Sequence, residues 1–155
     1  MWRQFFESFS RPCFFGEPAS PAAILHLEQT LHIAMPAELR EIYLETDGVS
    51  LHPAFFDEVG EEECNLQILW TLDEIHRENL EFRNWAAGLE SATLSFNNLL
   101  FFASLPNGDP IGFVVHNAEI IEPQIIVMSH EDWKDRRLLT MSLREYLTTL
   151  LETCQ

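Results

Sequence analysis

The chain has 155 residues, of which 46% are hydrophobic and 12% aromatic, and nine Lys+Arg face 25 Asp+Glu for a formal net charge of -16. That length fits one domain, and the apolar content can fill a sizeable core. The acidity speaks against nucleic acid and against anionic membrane surfaces as ligands, since both require a basic footprint.

The N-terminus, MWRQFFESFSRPCFF, is aromatic but interrupted by Arg3, Glu7 and Arg11. It lacks the apolar core of a secretory signal, and no apolar run in the chain approaches the about 20 residues of a membrane span. Phe5, Phe6 and Phe9 fall along one helix face. Core packing is the reading preferred over an amphipathic membrane anchor, because the segment is short and poor in cations. Residues 1–20 therefore read as an extension packed on the core of a single domain spanning 1–155.

Two short amphipathic helices follow, from Ile24 to Gly48. Ser20 before Pro21 is an N-cap followed by a residue suited to the first helical position. Ile24, Leu27 and Leu31 form one stripe. Pro36 opens the second helix, with Glu38 and Glu41 in its first turns, where the dipole favours negative charge. Leu39, Ile42 and Tyr43 form its buried face, and Gly48 is expected to end it in a left-handed conformation. The link His32 to Met35 is short enough to make the helices neighbours.

Val49 to Asn65 reads as a loop, with Phe55 and Phe56 anchoring it to the core. Leu66 to Trp70 is a short strand. Thr71 and Glu74 form a capping box opening a helix through about Arg83, with Leu72, Ile75 and Asn79 on one side. Residues 84–97 show no clear period, and Trp85 and Leu89 are expected to turn inward. Leu99 to Ala103 and Ile111 to Val115 read as strands joined across Asn107-Gly108, which supplies the positive φ of a hairpin connection. Gln124 to Ser129 is a further strand. Ser142 and Glu145 form a second capping box, and Leu143, Tyr146, Leu147, Leu150 and Leu151 make a broad helical stripe.

Chemistry-bearing patterns are sparse. Cys13, Cys64 and Cys154 are odd in number and widely spaced, which points to reduced thiols. The six histidines, among them His26, His76, His116 and His130, never pair at metal-ligand spacing, so no metal or cofactor is expected. There is no GxSxG, HExxH or GxxxxGK[ST]. Gly108 and Gly112 lie in a hairpin with no helix start behind them, so they form no phosphate cradle. Asp47 and Asp109 are more simply turn and helix-end residues than an acid/base pair. Ser129, His130, Glu131 and Asp132 are too close in sequence to converge as a triad. No catalytic set is found, and a non-enzymatic role is expected.

The acid is unevenly spread. Glu38, Glu41, Glu45, Asp47, Asp57, Glu58, Glu61, Glu62 and Glu63 are opposed only by Arg40. One reading is a solvated face. The other is a patch that steers a basic protein partner, with Glu45, Asp47, Asp57, Glu58, Glu61, Glu62 and Glu63 as the contact residues.

The order of motifs resembles one family. LEQTLHIAMPAELREIYLETDG, LQILWTLDEI, FFASLPNGDPIGFVV and SLREYLTTLLE are similar in sequence and order to the SMI1/KNR4 (SUKH) superfamily, from about Ile24 to Leu151. The resemblance implies an α+β fold, with helices on one face of a mainly antiparallel, strongly curved sheet. It also implies function. Bacterial members are mostly immunity proteins that bind and silence a toxin, and fungal relatives are regulatory interaction modules. The leading expectation is a cytoplasmic immunity protein, monomeric or weakly dimeric, that occludes the active site of a basic, nucleic-acid-acting toxin. A general scaffolding module is the alternative, and an enzyme of unknown type the third option. Residues 1–20 and the acidic stretch Asp57 to Glu63 are this chain's own features.

Overall fold

A computed structural model describes residues 1–51, 67–87 and 96–153. In chain order its elements are α1 (Trp2–Glu7), β1 (Cys13–Phe15), α2 (Pro21–Leu31), α3 (Ala37–Glu45), β2 (Val49–Leu51), β3 (Gln67–Leu69), α4 (Leu72–Ala87), β4 (Leu99–Ser104), β5 (Pro110–His116), β6 (Glu119–Met128), β7 (Arg136–Leu139) and α5 (Leu143–Thr153). The strands form two antiparallel ladders, β1-β2-β3 and β4-β5-β6-β7. The backbone N–H of Trp70, just past β3, donates to the Phe102 carbonyl of β4 at 3.0 Å and ties the ladders together. The fold is α+β, and the one curved sheet of the sequence reading is built as these two linked ladders.

The helical pair forms as the sequence dictates, with one addition. The Ser20 hydroxyl accepts from the Ala23 N–H, and Pro21 occupies the first helical position. Ile24, Leu27 and Leu31 are buried, but so is Glu28. Its carboxylate accepts from the Met35 N–H at 2.7 Å and pairs with the Arg40 guanidinium. A buried link must satisfy its backbone donors, and Glu28 does this for the turn between the helices. His32, at φ 53, ends α2 in the left-handed conformation. On α3, Leu39, Ile42 and Tyr43 are fully enclosed, and the Tyr43 hydroxyl donates to the Trp70 carbonyl at 2.6 Å.

Gly48 does not end α3. The helix stops at Glu45, with Thr46 extended at φ -161. Gly48, at φ +84, instead turns the chain into β2. Val49 to Leu51 is thus a strand rather than loop, with Val49 and Leu51 buried on either side of Ser50. Three residues are too few to show a period in sequence. Phe55 and Phe56 lie outside the described residues.

In the second half both capping boxes are present. Glu74 accepts from the N–H and hydroxyl of Thr71 at 2.8 and 2.9 Å, and Glu145 does the same for Ser142 at 2.8 and 3.0 Å. α4 runs to Ala87, one turn past the expected Arg83. Trp85 is 44% exposed, not turned inward, because its position on α4 falls away from the Leu72, Ile75 and Asn79 stripe. Leu89 lies outside the described residues. Between β4 and β5 only Gly108 takes a positive φ. Its N–H returns to the Leu105 carbonyl at 2.9 Å, so Pro106 and Asn107 form the centre of an ordinary turn with glycine after it.

Two elements differ from the sequence reading. β6 starts at Glu119, because Asn117 and Ala118 both take positive φ and close a two-residue hairpin against β5. Alanine gives no glycine signal there. β7 is an edge strand whose first three residues are exposed, so it carries no alternation to read.

α1 contributes two buried aromatic side chains. Trp2 and Phe6 are buried, and the Arg144 guanidinium of α5 lies over the rings of Trp2 and Phe5 at 4.1 and 5.0 Å.

Candidate functional site

The acidic residues expected to meet a partner begin at the end of α3. Glu41 accepts from the Trp2 indole N–H at 3.3 Å. One turn later Glu45 binds the Met1 ammonium and accepts from the Arg3 N–H at 3.0 Å. Desolvation pushes the Glu45 carboxyl up, but the ammonium and the backbone donors outweigh it and hold the group at about 2.

Asp47 faces the other way. Its Oδ1 accepts from the Leu72 N–H at 2.7 Å, an orphan donor of the first turn of α4. Its own N–H donates to the Glu17 carbonyl at 3.1 Å. Burial raises its pKa. The Leu72 N–H opposes this, and the neighbouring charges of Asp73 and Glu74 add to the rise. Two carboxylates two residues apart are therefore shifted in opposite directions by different surroundings.

Glu45 and Asp47 are thus engaged inside the fold, one holding α1 and the other starting α4. Asp57, Glu58, Glu61, Glu62 and Glu63 lie outside the described residues. A cleft of about 240 Å³ opens beside Asp47, Gly48 and Thr71, walled by Phe14, Phe15 and Gln67. Phe14 on β1 is 49% exposed there. Arg40, the cation opposing the acidic stretch, is committed to Glu28.

The catalytic candidates take up structural posts. The Ser129 hydroxyl accepts from the N–H groups of Glu131 and Asp132 at 3.3 and 3.2 Å, which closes a turn. Asp109 Oδ1 accepts from the His130 N–H at 2.9 Å and lies 2.8 Å from its Nδ1. The His130 backbone and ring donors, with Asn107, hold the Asp109 carboxyl below its ordinary range. This pair joins the β4–β5 turn to the chain after β6, and its 21-residue separation left no local pattern to find. Among the described residues no group of three or more His, Cys, Asp or Glu is placed to hold a metal. The Cys13 thiol is free and half-buried; burial, then the charge of Glu7, pushes it up to about 11.

The model of the SMI1 / KNR4 family (SUKH-1) matches residues 18–149. The chain belongs to that family. No curated protein matches the sequence.

The SMI1/KNR4 match separates the site into two parts. α1 and β1 precede it, so the Trp2, Met1 and Arg3 contacts to Glu41 and Glu45 run from outside the matched span into it. Asp47, its bond to Leu72 and the stretch 52–66 all fall within it. Among the described residues no helix is long and apolar enough to cross a membrane.

Proposed function

We propose that this SMI1/KNR4 chain is a non-enzymatic immunity protein. It binds a basic bacterial toxin and silences it by covering the active-site cleft. One observation carries the reading beyond the family. Within the matched span, the stretch from Glu38 to Glu63 holds nine carboxylates and one cation, Arg40, whose charge is spent on Glu28. A toxin that acts on nucleic acid carries a basic cleft, and carboxylates occupy such a cleft where phosphates would lie. The proposed contact residues are Glu45, Asp47, Asp57, Glu58, Glu61, Glu62 and Glu63, of which the partly exposed Glu45 and Asp47 also hold α1 and the start of α4. The protein acts in the cytoplasm of the cell that makes the toxin.

The test is co-expression with the variable C-terminal domain of a secreted protein encoded beside this gene. That domain is expected to kill the host when expressed alone and to be harmless with this chain. Killing that continues despite full expression of the chain overturns the reading.

A further inference from the structure

α4 presents an outward face as well as its buried stripe. Glu78, Glu81 and Trp85 fall at i, i+3 and i+7 on one side of the helix, and the half-buried Phe82 at i+4 joins that side to the core. Trp85 is the exposed tryptophan among the described residues, while Trp2 and Trp70 are 3% and 7% exposed. Its indole lies on that of Trp133, from the segment between β6 and β7, with centroids 5.2 Å apart. Trp133 in turn rests against Phe82 at 5.5 Å and meets Phe96 edge-on at 5.7 Å. An exposed indole held by other rings loses little freedom on binding, which is the character of an interface anchor.

The surroundings set the partner's chemistry. A cleft of about 260 Å³ lies beside Phe82, with Trp70, Glu74, Glu78 and Arg77 among its walls. Glu81, Glu131 and Asp132 are exposed on the two elements that carry the indoles. Of the cations there, Arg77 is paired with Glu78 at 2.8 Å, Arg136 donates from Nε to the Trp133 carbonyl at 3.3 Å, and Lys134 is exposed. Five carboxylates against three cations, in a chain of net charge -16, leave the face acidic around an aromatic centre.

We propose that this face of α4 docks a basic protein, whose arginine or lysine side chains lie over Trp85 and Trp133 and beside Glu78 and Glu81. It rests on the reading of a basic partner given above, and adds a second contact distinct from the acidic stretch. Each cation over an exposed indole strengthens binding about two- to fivefold, so several are needed, and all weaken together as salt rises.

The probe is a hexa-arginine peptide titrated at low salt, followed by the indole N–H resonances. Trp85 and Trp133 are expected to shift while Trp2 stays in place. Trp85→Ala is expected to weaken the peptide about two- to fivefold, Trp85→Phe less, and the exposed Leu25→Ala on α2 not at all. Glu78→Gln with Glu81→Gln, which leaves the rings intact, is expected to weaken it to a similar degree. Unshifted Trp85 and Trp133 resonances, or equal affinity for Trp85→Ala, overturn the proposal. Lost co-expression rescue with shifted indoles overturns the immunity reading alone, and retained rescue with unshifted indoles overturns this surface alone.

Discussion

Asn79 holds both backbone groups of Phe101. Its Nδ2 donates to the Phe101 carbonyl at 2.8 Å and its Oδ1 accepts from the Phe101 N–H at 2.9 Å, while the second amide proton reaches the Ile75 carbonyl at 2.8 Å. The side chain is 1% exposed. It fixes the height of α4 on the centre of β4. Removing it strands a buried donor and acceptor, each costing about 1–3 kcal/mol. Asn79→Ala is expected to lower stability by about 2–4 kcal/mol. Asn79→Asp is expected to be at least as damaging, since it loses both amide donors and buries a carboxylate. Urea unfolding of both variants checks this.

Glu28 gives a second prediction. It satisfies the Met35 N–H and pairs with Arg40 across the helical link. Glu28→Ala leaves that N–H buried and unmet, at a cost of about 2–3 kcal/mol. Glu28→Gln keeps an acceptor and loses only the charge pairing with a partly exposed Arg40, so its cost is about 1 kcal/mol or less. A midpoint shift at unchanged m-value is the expected form of both effects.

The opposite shifts of Glu45 and Asp47 predict opposite pH dependences. Glu45 is held at about 2, below its ordinary unfolded value. Its stabilising contribution is complete above the unfolded pKa and is lost as pH falls towards 2. Glu45→Gln should flatten the acid limb of a stability profile. Asp47 is raised, so its ionised form costs stability above its folded pKa, and that cost is relieved as pH falls. Asp47→Asn retains an oxygen for the Leu72 N–H and is expected to be neutral or stabilising at pH 7. Asp47→Ala removes the cap and costs about 1 kcal/mol. Thermal melts from pH 3 to 7 distinguish the two positions.

Legibility in the sequence followed the range of each interaction. The Ser20 cap and the Thr71/Glu74 and Ser142/Glu145 boxes join residues three apart, and all three were visible. The helical stripes were visible for the same reason. Glu28 with Arg40, Asp109 with His130 and Asn79 with Phe101 are 12, 21 and 22 residues apart, and no local pattern encodes them. Asn79 was placed on the correct side of α4, but its partner was not foreseen. β7 was missed because an exposed, charged edge strand lacks alternation. The acidic stretch was legible as charge. That Glu45 and Asp47 spend theirs within the fold depends on Met1, Arg3 and Leu72, which only the folded chain brings near.

The central claim is that this chain binds and silences a basic toxin. The most direct measurement is calorimetric titration with the C-terminal domain of the secreted protein that the proposal expects beside the gene, at low and high salt, with toxin activity followed in parallel. The predicted result is a tight one-to-one complex that weakens as salt rises, with activity abolished at equimolar protein. A toxin that remains fully active in the presence of excess chain, or that does not bind, would contradict it.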